Sequence, residues 1–203
     1  MQITVISFSG RRNGNCQRIA KKIIQFFECK NAVLYDFSDF SISPCGKCQL
    51  ECFKEKSDCS YFGDMERAIY DSITNSDMSY FIVPNYCDFP CSNFFAFNER
   101  SQCYFQGEPE LLERYEAAPK RFIVVSNTGK DNFVAAFSQH VSSQPDILFL
   151  SAKTYGKISI NGDLLSSAEA TDDILSFIKA AVYDTTEEKK SESCVESTDG
   201  NPI

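Results

Sequence analysis

Two groups of residues in this 203-residue chain have types and spacings that could do chemistry. The first is the loop Ser9-Gly10-Arg11-Arg12-Asn13-Gly14-Asn15-Cys16, which joins an apolar run to the start of a helical pattern. Backbone N–H groups without intrahelical acceptors and the positive end of the helix dipole make such a junction an anion site. Ser9 can donate a hydroxyl, Arg11 or Arg12 can add charge, and Gly10 and Gly14 allow close approach or positive φ. The loop matches neither G-x-G-x-x-G nor a Walker A pattern, which argues against a dinucleotide Rossmann site and a P-loop nucleotide hydrolase. A plain Gly/Asn turn capping a helix would read the same way, so this loop alone leaves both readings open. The second group is Cys45, Cys48, Cys52 and Cys59, spaced C-x2-C-x3-C-x6-C. Four thiolates suit a [4Fe–4S] cluster or Zn²⁺. A single C-x2-C pair is short of the two that all-cysteine zinc sites usually use, so structural or redox-active thiols stand as a third reading.

Two further loops could face a ligand. Pro84-Asn85-Tyr86-Cys87-Asp88-Phe89-Pro90 sets an aromatic between two prolines, and a planar ring could stack on Tyr86 while the backbone binds its polar edge. In Asn127-Thr128-Gly129 the glycine permits a left-handed turn. Cys87, Cys91 and Cys103 fall in or after the second of the three loops. Each reads first as a small buried hydrophobe, and redox activity beside a ligand is the alternative. His140 is the single histidine. It sits on an apolar helical stripe and reads as structural, and with no G-x-S-x-G elbow a His-based triad is excluded unless His140 itself serves.

The elements that must position these residues alternate between strand-like and helix-like. Ile3–Phe8 is a near-continuous apolar run, as in a buried parallel strand. A helix follows from about Asn15, with Ile19, Ile23 and Phe27 on one face and Ala20 and Ile24 beside them. Ala32–Phe37 is a second strand, and an irregular cysteine-bearing stretch runs over 38–62. Gly63–Asn75 reads as a helix on Met65, Ile69 and Ile73. Ser79–Val83 is a third strand stopped by Pro84, and Pro90–Cys103 reads as a helix crowded with Phe94, Phe95 and Phe97, mainly core with part open to a subunit interface. Arg121–Ser126 is a fourth strand, followed by a helix on Phe133, Phe137 and Val141. Asp146–Ser151 is a fifth, and the last helix carries Ile174, Ile178 and Val182 behind a capping box of Ser166 and Glu169. Parallel strands need crossovers, so five strands with intervening helices predict a doubly wound α/β sheet with helices on both faces. Ligands then bind beyond the carboxyl ends of the strands.

Composition narrows the partners. The formal charge is −8, which argues against nucleic acid, since phosphate neutralisation needs clustered Lys and Arg. No segment reaches the ~18 apolar residues that would span a bilayer, and Arg11 and Arg12 follow the first apolar run, the wrong order for a signal peptide. A cytoplasmic protein is expected, in which the ten cysteines serve as ligands, redox groups or small hydrophobes rather than disulfides. One domain is expected over 1–183, and 184–203, with six acids and two lysines, reads as a disordered acidic tail.

Taken together, the three loops resemble the flavodoxin-like NAD(P)H-dependent flavin oxidoreductases, a group that includes FMN reductases and iron–sulfur flavoproteins. Phe8-Ser9-Gly10-Arg11-Arg12-Asn13-Gly14-Asn15-Cys16 is similar to the family's G-S-x-R-x-x-G-N-T-like loop, and Pro84-Asn85-Tyr86-Cys87 to its P-x-Y-W-like loop. Phe97-Asn98-Glu99-Arg100 stands at a K-x-F-x-D-R-like run. Pro44-Cys45-Gly46-Lys47-Cys48, Cys52 and Cys59 before Gly63-Asp64-Met65 resemble a cysteine cluster ending in a D-D-M-like helix start. The resemblance implies strand order 2-1-3-4-5 and an FMN phosphate held by Ser9, Arg11, Asn13, Gly14, Asn15 and Cys16. It implies an isoalloxazine bordered by Pro84, Asn85, Tyr86, Cys87, Asn127, Thr128 and Gly129. It further implies NAD(P)H as co-substrate, a small electron acceptor such as a quinone or flavin, and a homodimer or homotetramer. An iron–sulfur flavoprotein with [4Fe–4S] on Cys45, Cys48, Cys52 and Cys59 is the first alternative, and a flavin-free binding module the second. Cys16 replaces the family's Thr and so loses a hydroxyl donor, Cys87 replaces a common Trp, and Asn98-Glu99 departs from the family's run.

Overall fold

Side-chain alternation along the central strands divides the core into two layers. In β1 (Gln2–Ser7) and β3 (Met78–Tyr86), Val5 and Tyr80 face one side of the sheet, and Ile6 and Phe81 face the other, as a period of two requires. The computed structural model describes residues 1–27, 31–46, 49–127, 130–138 and 146–180. Cys48, Thr128, Gly129, His140, Val141, Val182 and the predicted tail 184–203 lie outside these residues.

The parallel strands are β1, β2 (Asn31–Asp36), β3, β5 (Lys120–Ser126) and β6 (Asp146–Ser151), in the order β2-β1-β3-β5-β6. This is the expected 2-1-3-4-5 arrangement; the numbers differ because a two-residue strand, β4 (Phe89–Pro90), pairs antiparallel with the end of β3. The order reverses between β1 and β3, whose register sets Ser7 opposite Ile82, so the switch point lies just beyond those residues. One face is covered by α1 (Asn15–Phe26) and a last helix over 168–180: Ile19, Ile23, Ile174 and Ile178 pack on Ile3, Val5, Ile123 and Val125. The other is covered by α2 (Met65–Thr74), α3 (Ser92–Glu99), α4 (Ser101–Phe105), α5 (Pro109–Ala117) and α6 (Asp131–Phe137). That layer is aromatic. The Phe8 ring lies 5.1 to 5.9 Å from the rings of Phe37, Phe81, Phe94 and Phe97, the separation at which aromatic pairs attract. No described helix is long and apolar enough to cross a membrane.

Four local expectations are corrected. Pro84 does not stop β3, which runs on to Tyr86. The Ile82 carbonyl accepts from Phe8 N, so the N of Pro84, two residues on, faces the side where β1 has ended and no ladder bond is lost. The helix expected over Pro90–Cys103 is two helices, α3 and α4, parted at Arg100. The last helix is capped by Ser167, whose hydroxyl accepts from Ala170 N; Ser166 instead donates to the Asp163 carbonyl. Helix α5, which the sequence reading leaves out, opens on Pro109 at its first turn.

Candidate functional site

A cavity of about 520 Å³ lies beyond the carboxyl ends of β1, β3 and β5. Ser9, Arg11, Gly14, Asn15 and Cys16 line it from the first loop, Pro84, Asn85, Tyr86 and Cys87 from the end of β3, and Val125 and Asn127 from the end of β5. Three loops far apart in sequence thus meet because parallel strands end on one edge. The volume falls within the ~300–1,000 Å³ of small-molecule sites.

The first loop is built to expose donors. Gly14 caps α1 with no side-chain bond, and the first intrahelical bond runs from Arg18 N to the Gly14 carbonyl. The N–H groups of Asn15, Cys16 and Gln17 therefore have no acceptor within the helix. The Phe8 carbonyl that enters the loop is pinned by Asn93 Nδ2 at 2.9 Å and by the Cys91 thiol at 3.4 Å. Ser9 Oγ accepts from Arg11 N and lies 3.4 Å from the Tyr86 hydroxyl, which joins the first loop to β3. Burial pushes the Cys16 thiol well up from its ordinary value, with Cys91 and Asp36 adding to the effect. It stays protonated at neutral pH. The Tyr86 phenol is raised, first by burial and against its bond to Ser9. Arg12 turns away to an exposed pair with Asp39, so Arg11 is the arginine at the cavity. Asn13 does not line it: at φ 57° it shapes the turn, its N donating to Gln17 Oε1.

Ser159 and Ile160 form a further wall that the sequence reading missed. They belong to short turns after β6, and two asparagines hold them in place. Asn15 Nδ2 donates to the Ser159 carbonyl while its Oδ1 accepts from Leu164 N, both at 3.0 Å. Asn127 Oδ1 accepts from Ser159 N at 3.2 Å. The Arg11 guanidinium donates to the Ile160 carbonyl. A signal was present: β6 ends on the same edge as its neighbours, and the Ser-, Asn- and Gly-containing stretch that follows it is loop-like.

The loop at the end of β3 is a hairpin. Tyr86 pairs with Phe89, and Cys87 and Asp88 between them have φ of 52° and 68°, the two positive values of a type I′ turn. Asp88 Oδ2 accepts from Asn132 N at 3.3 Å and ties the hairpin to α6. Asn85 Nδ2 donates to Ser126 Oγ at 2.9 Å, joining β3 to β5 beneath the cavity.

The cysteine segment lies elsewhere. Cys52 is buried, and Cys45 and Cys59 are half-buried. Among the described residues, no group of three or more His, Cys, Asp or Glu side chains is placed to hold a metal ion. Arg100, at the end of the run that followed the β3 loop in sequence, is buried and pairs with Asp64 and Glu66 rather than reaching the cavity.

No protein-family model and no curated protein sequence matches this chain. Solved structures do. The Trp repressor binding protein of Bacillus subtilis superposes with a TM-score of 0.57 at 15% identity, over 88% of this chain and 97% of that one. A flavone reductase gives 0.56 at 14% identity over 89% of this chain, which spans 63% of the reductase. FerB of Paracoccus denitrificans gives 0.51 at 13%, over 90% and 97%. The fold is flavodoxin-like. At these identities the likeness is one of architecture, and a flavodoxin-like sheet places its ligand at the β1/β3 switch point, where the cavity lies.

Proposed function

We propose that the chain is an FMN-dependent oxidoreductase that takes electrons from NAD(P)H and passes them to a small acceptor such as a quinone or a flavin. The observation that carries this reading is the cavity at the switch point, with an uncapped helix N-terminus on one side and Tyr86 on another. The N–H groups at the start of α1, the Ser9 hydroxyl and the Arg11 guanidinium suit a phosphate monoester. Pro84, Tyr86 and Cys87 would border a planar ring, with Asn85 and Asn127 at its polar edge. Bound FMN would supply the hydride and electron chemistry, which needs no protein acid or base at the reacting atom. The residues here bind and orient, and among the described residues no histidine lines the cavity. Support also comes from the names of two similar structures, a flavone reductase and a flavoenzyme NAD(P)H:(acceptor) oxidoreductase. Tyr86 and Ile160 stay more than half exposed at the cavity, apolar surface that a second copy of a homodimer or homotetramer could cover.

The absorbance spectrum of the purified cytoplasmic protein tests the proposal. Flavin bands that persist through gel filtration and bleach anaerobically with NADH or NADPH are expected. A colourless protein that does not retain added FMN overturns it in favour of a flavin-free binding module. Flavin bands with broad extra visible absorption and stoichiometric iron and sulfide would make it an electron-transfer iron–sulfur flavoprotein.

A further inference from the structure

Behind the first loop, a buried glutamine that does not line the cavity ties the loop to the sheet. Gln17 stands in the first turn of α1 and is 6% exposed. Its Oε1 accepts from Asn13 N at 2.8 Å, and its Nε2 donates to Ser38 Oγ at 2.9 Å. A backbone N–H can only donate, so the amide oxygen must face Asn13 and the amide nitrogen the serine. Ser38 is itself fixed to the end of β2. Its N donates to Asp36 Oδ1 at 3.0 Å, and its carbonyl accepts from Arg12 Nε at 3.3 Å. Asp36 is buried, and the next residue, Phe37, donates from its N to the Ser7 carbonyl of β1 at 2.9 Å. A chain of bonds thus runs from the sheet edge through Asp36, Ser38 and Gln17 to Asn13. Asn13 is the point in the loop that most needs holding. Its φ is 57°, a left-handed conformation that L-residues adopt at a cost, and it leads directly into Gly14, the cap of α1.

We propose that Gln17 is a positioning residue for a phosphate monoester: its side chain fixes the turn at Asn13 and so sets the direction of the N–H groups at the start of α1. The inference rests on the reading of the cavity as an FMN site. Asn13 is exposed, so without the glutamine its N–H turns to solvent and the left-handed turn is free to relax. Ser38 acts on the phosphate through Gln17, the residue that its hydroxyl meets. Tyr86, Asn85 and Asn127, which would border the ring, stand at the ends of β3 and β5 and take no part in this chain of bonds. The phosphate end of the cavity is therefore separable from its ring end. Damage to Gln17 should be felt by FMN and not by riboflavin, which has the same ring and ribityl chain but no phosphate.

The test is a fluorescence titration of the flavin-stripped full-length chain with FMN and, separately, with riboflavin. The wild-type chain should bind FMN more tightly than riboflavin. Gln17→Leu should lower FMN affinity at least about tenfold and leave riboflavin affinity within about twofold. Ser38→Ala should lower FMN affinity by about threefold. It should have no further effect in a chain that already carries Gln17→Leu, because the serine acts through the glutamine. Circular dichroism reports folding of each variant. A folded Gln17→Leu chain with wild-type FMN affinity overturns the proposal. So does a loss shared equally by FMN and riboflavin, or a Ser38→Ala loss that is undiminished beside Gln17→Leu. If Gln17→Leu does not fold, Ser38→Ala alone decides, and an unchanged FMN affinity overturns the proposal. A wild-type chain that binds neither flavin overturns the reading of the cavity itself, and this inference with it.

Discussion

At the scale of single residues, the shape of the first loop depends on groups that never touch the cavity. Gly162 is the clearest. Its φ is 69°, and a Cβ placed on it would meet the Asn13 carbonyl oxygen at 2.8 Å, closer than packed atoms allow. Gly156 has a similar φ of 64°, yet a Cβ there meets nothing within 4 Å. Alanine at either position costs about 1 kcal/mol of backbone strain. Alanine at 162 must also push Asn13 and the neighbouring donors aside. Gly162→Ala should therefore lower FMN affinity at least about tenfold, a loss of ~1.4 kcal/mol, whereas Gly156→Ala should lower the urea midpoint and leave FMN affinity unchanged. Equal effects on affinity would show that the close approach does not shape the site. The residues expected from sequence at the first loop do line the cavity, apart from Asn13, because a strand-to-helix junction leaves few ways to arrange its donors. Gly162 was not legible, since its partner is the backbone of a residue 149 positions away, between Asn13 and Gly162.

At the scale of elements, strand and helix positions followed from periodicity, and the errors fall where tertiary context decides. Proline normally ends a strand, but β1 stops before Pro84 can disturb it. The β3–β4 hairpin was hidden because its turn residues, Cys87 and Asp88, are not the Asn-Gly pair that announces a type I′ turn. Cys87 has φ 52°, a left-handed conformation that L-residues other than Asn and Asp adopt reluctantly. Cys87→Asn should then stabilise the fold by about 0.5–1 kcal/mol, read as a higher urea midpoint with an unchanged slope. A loss of stability would mean that the thiol makes a packing contribution larger than the strain it carries.

At the scale of the whole molecule, the fold separates its working edge from its opposite end, and the two should respond to pH independently. The cavity lies at the carboxyl ends of the strands, while Lys120 opens β5 at the other end, where its Nζ donates to the carbonyls of Tyr115 and Ala118. Burial lowers the Lys120 ammonium from 10.5 to about 8, against an opposing pull from Glu116. Below pH 8 the folded and unfolded chains both carry this proton, and the cost of burying the charge is fully present. Between pH 8 and 10.5 the unfolded chain binds one more proton than the folded one, so this group makes stability rise with pH. The phenols of Tyr70, Tyr80 and Tyr115 act in the opposite sense. Burial raises them from 10.0, so the unfolded chain loses those protons first and stability falls above pH 10. The thiols of Cys16, Cys91 and Cys103, raised from 9.0 by burial, act in the same sense as the phenols. Urea midpoints should therefore fall above about pH 9, with Lys120 opposing the fall. Relative to Lys120→Met, the wild-type chain should gain stability between pH 8 and 10.5. A difference between the two chains that stays flat over that window would remove the ammonium as a contributor.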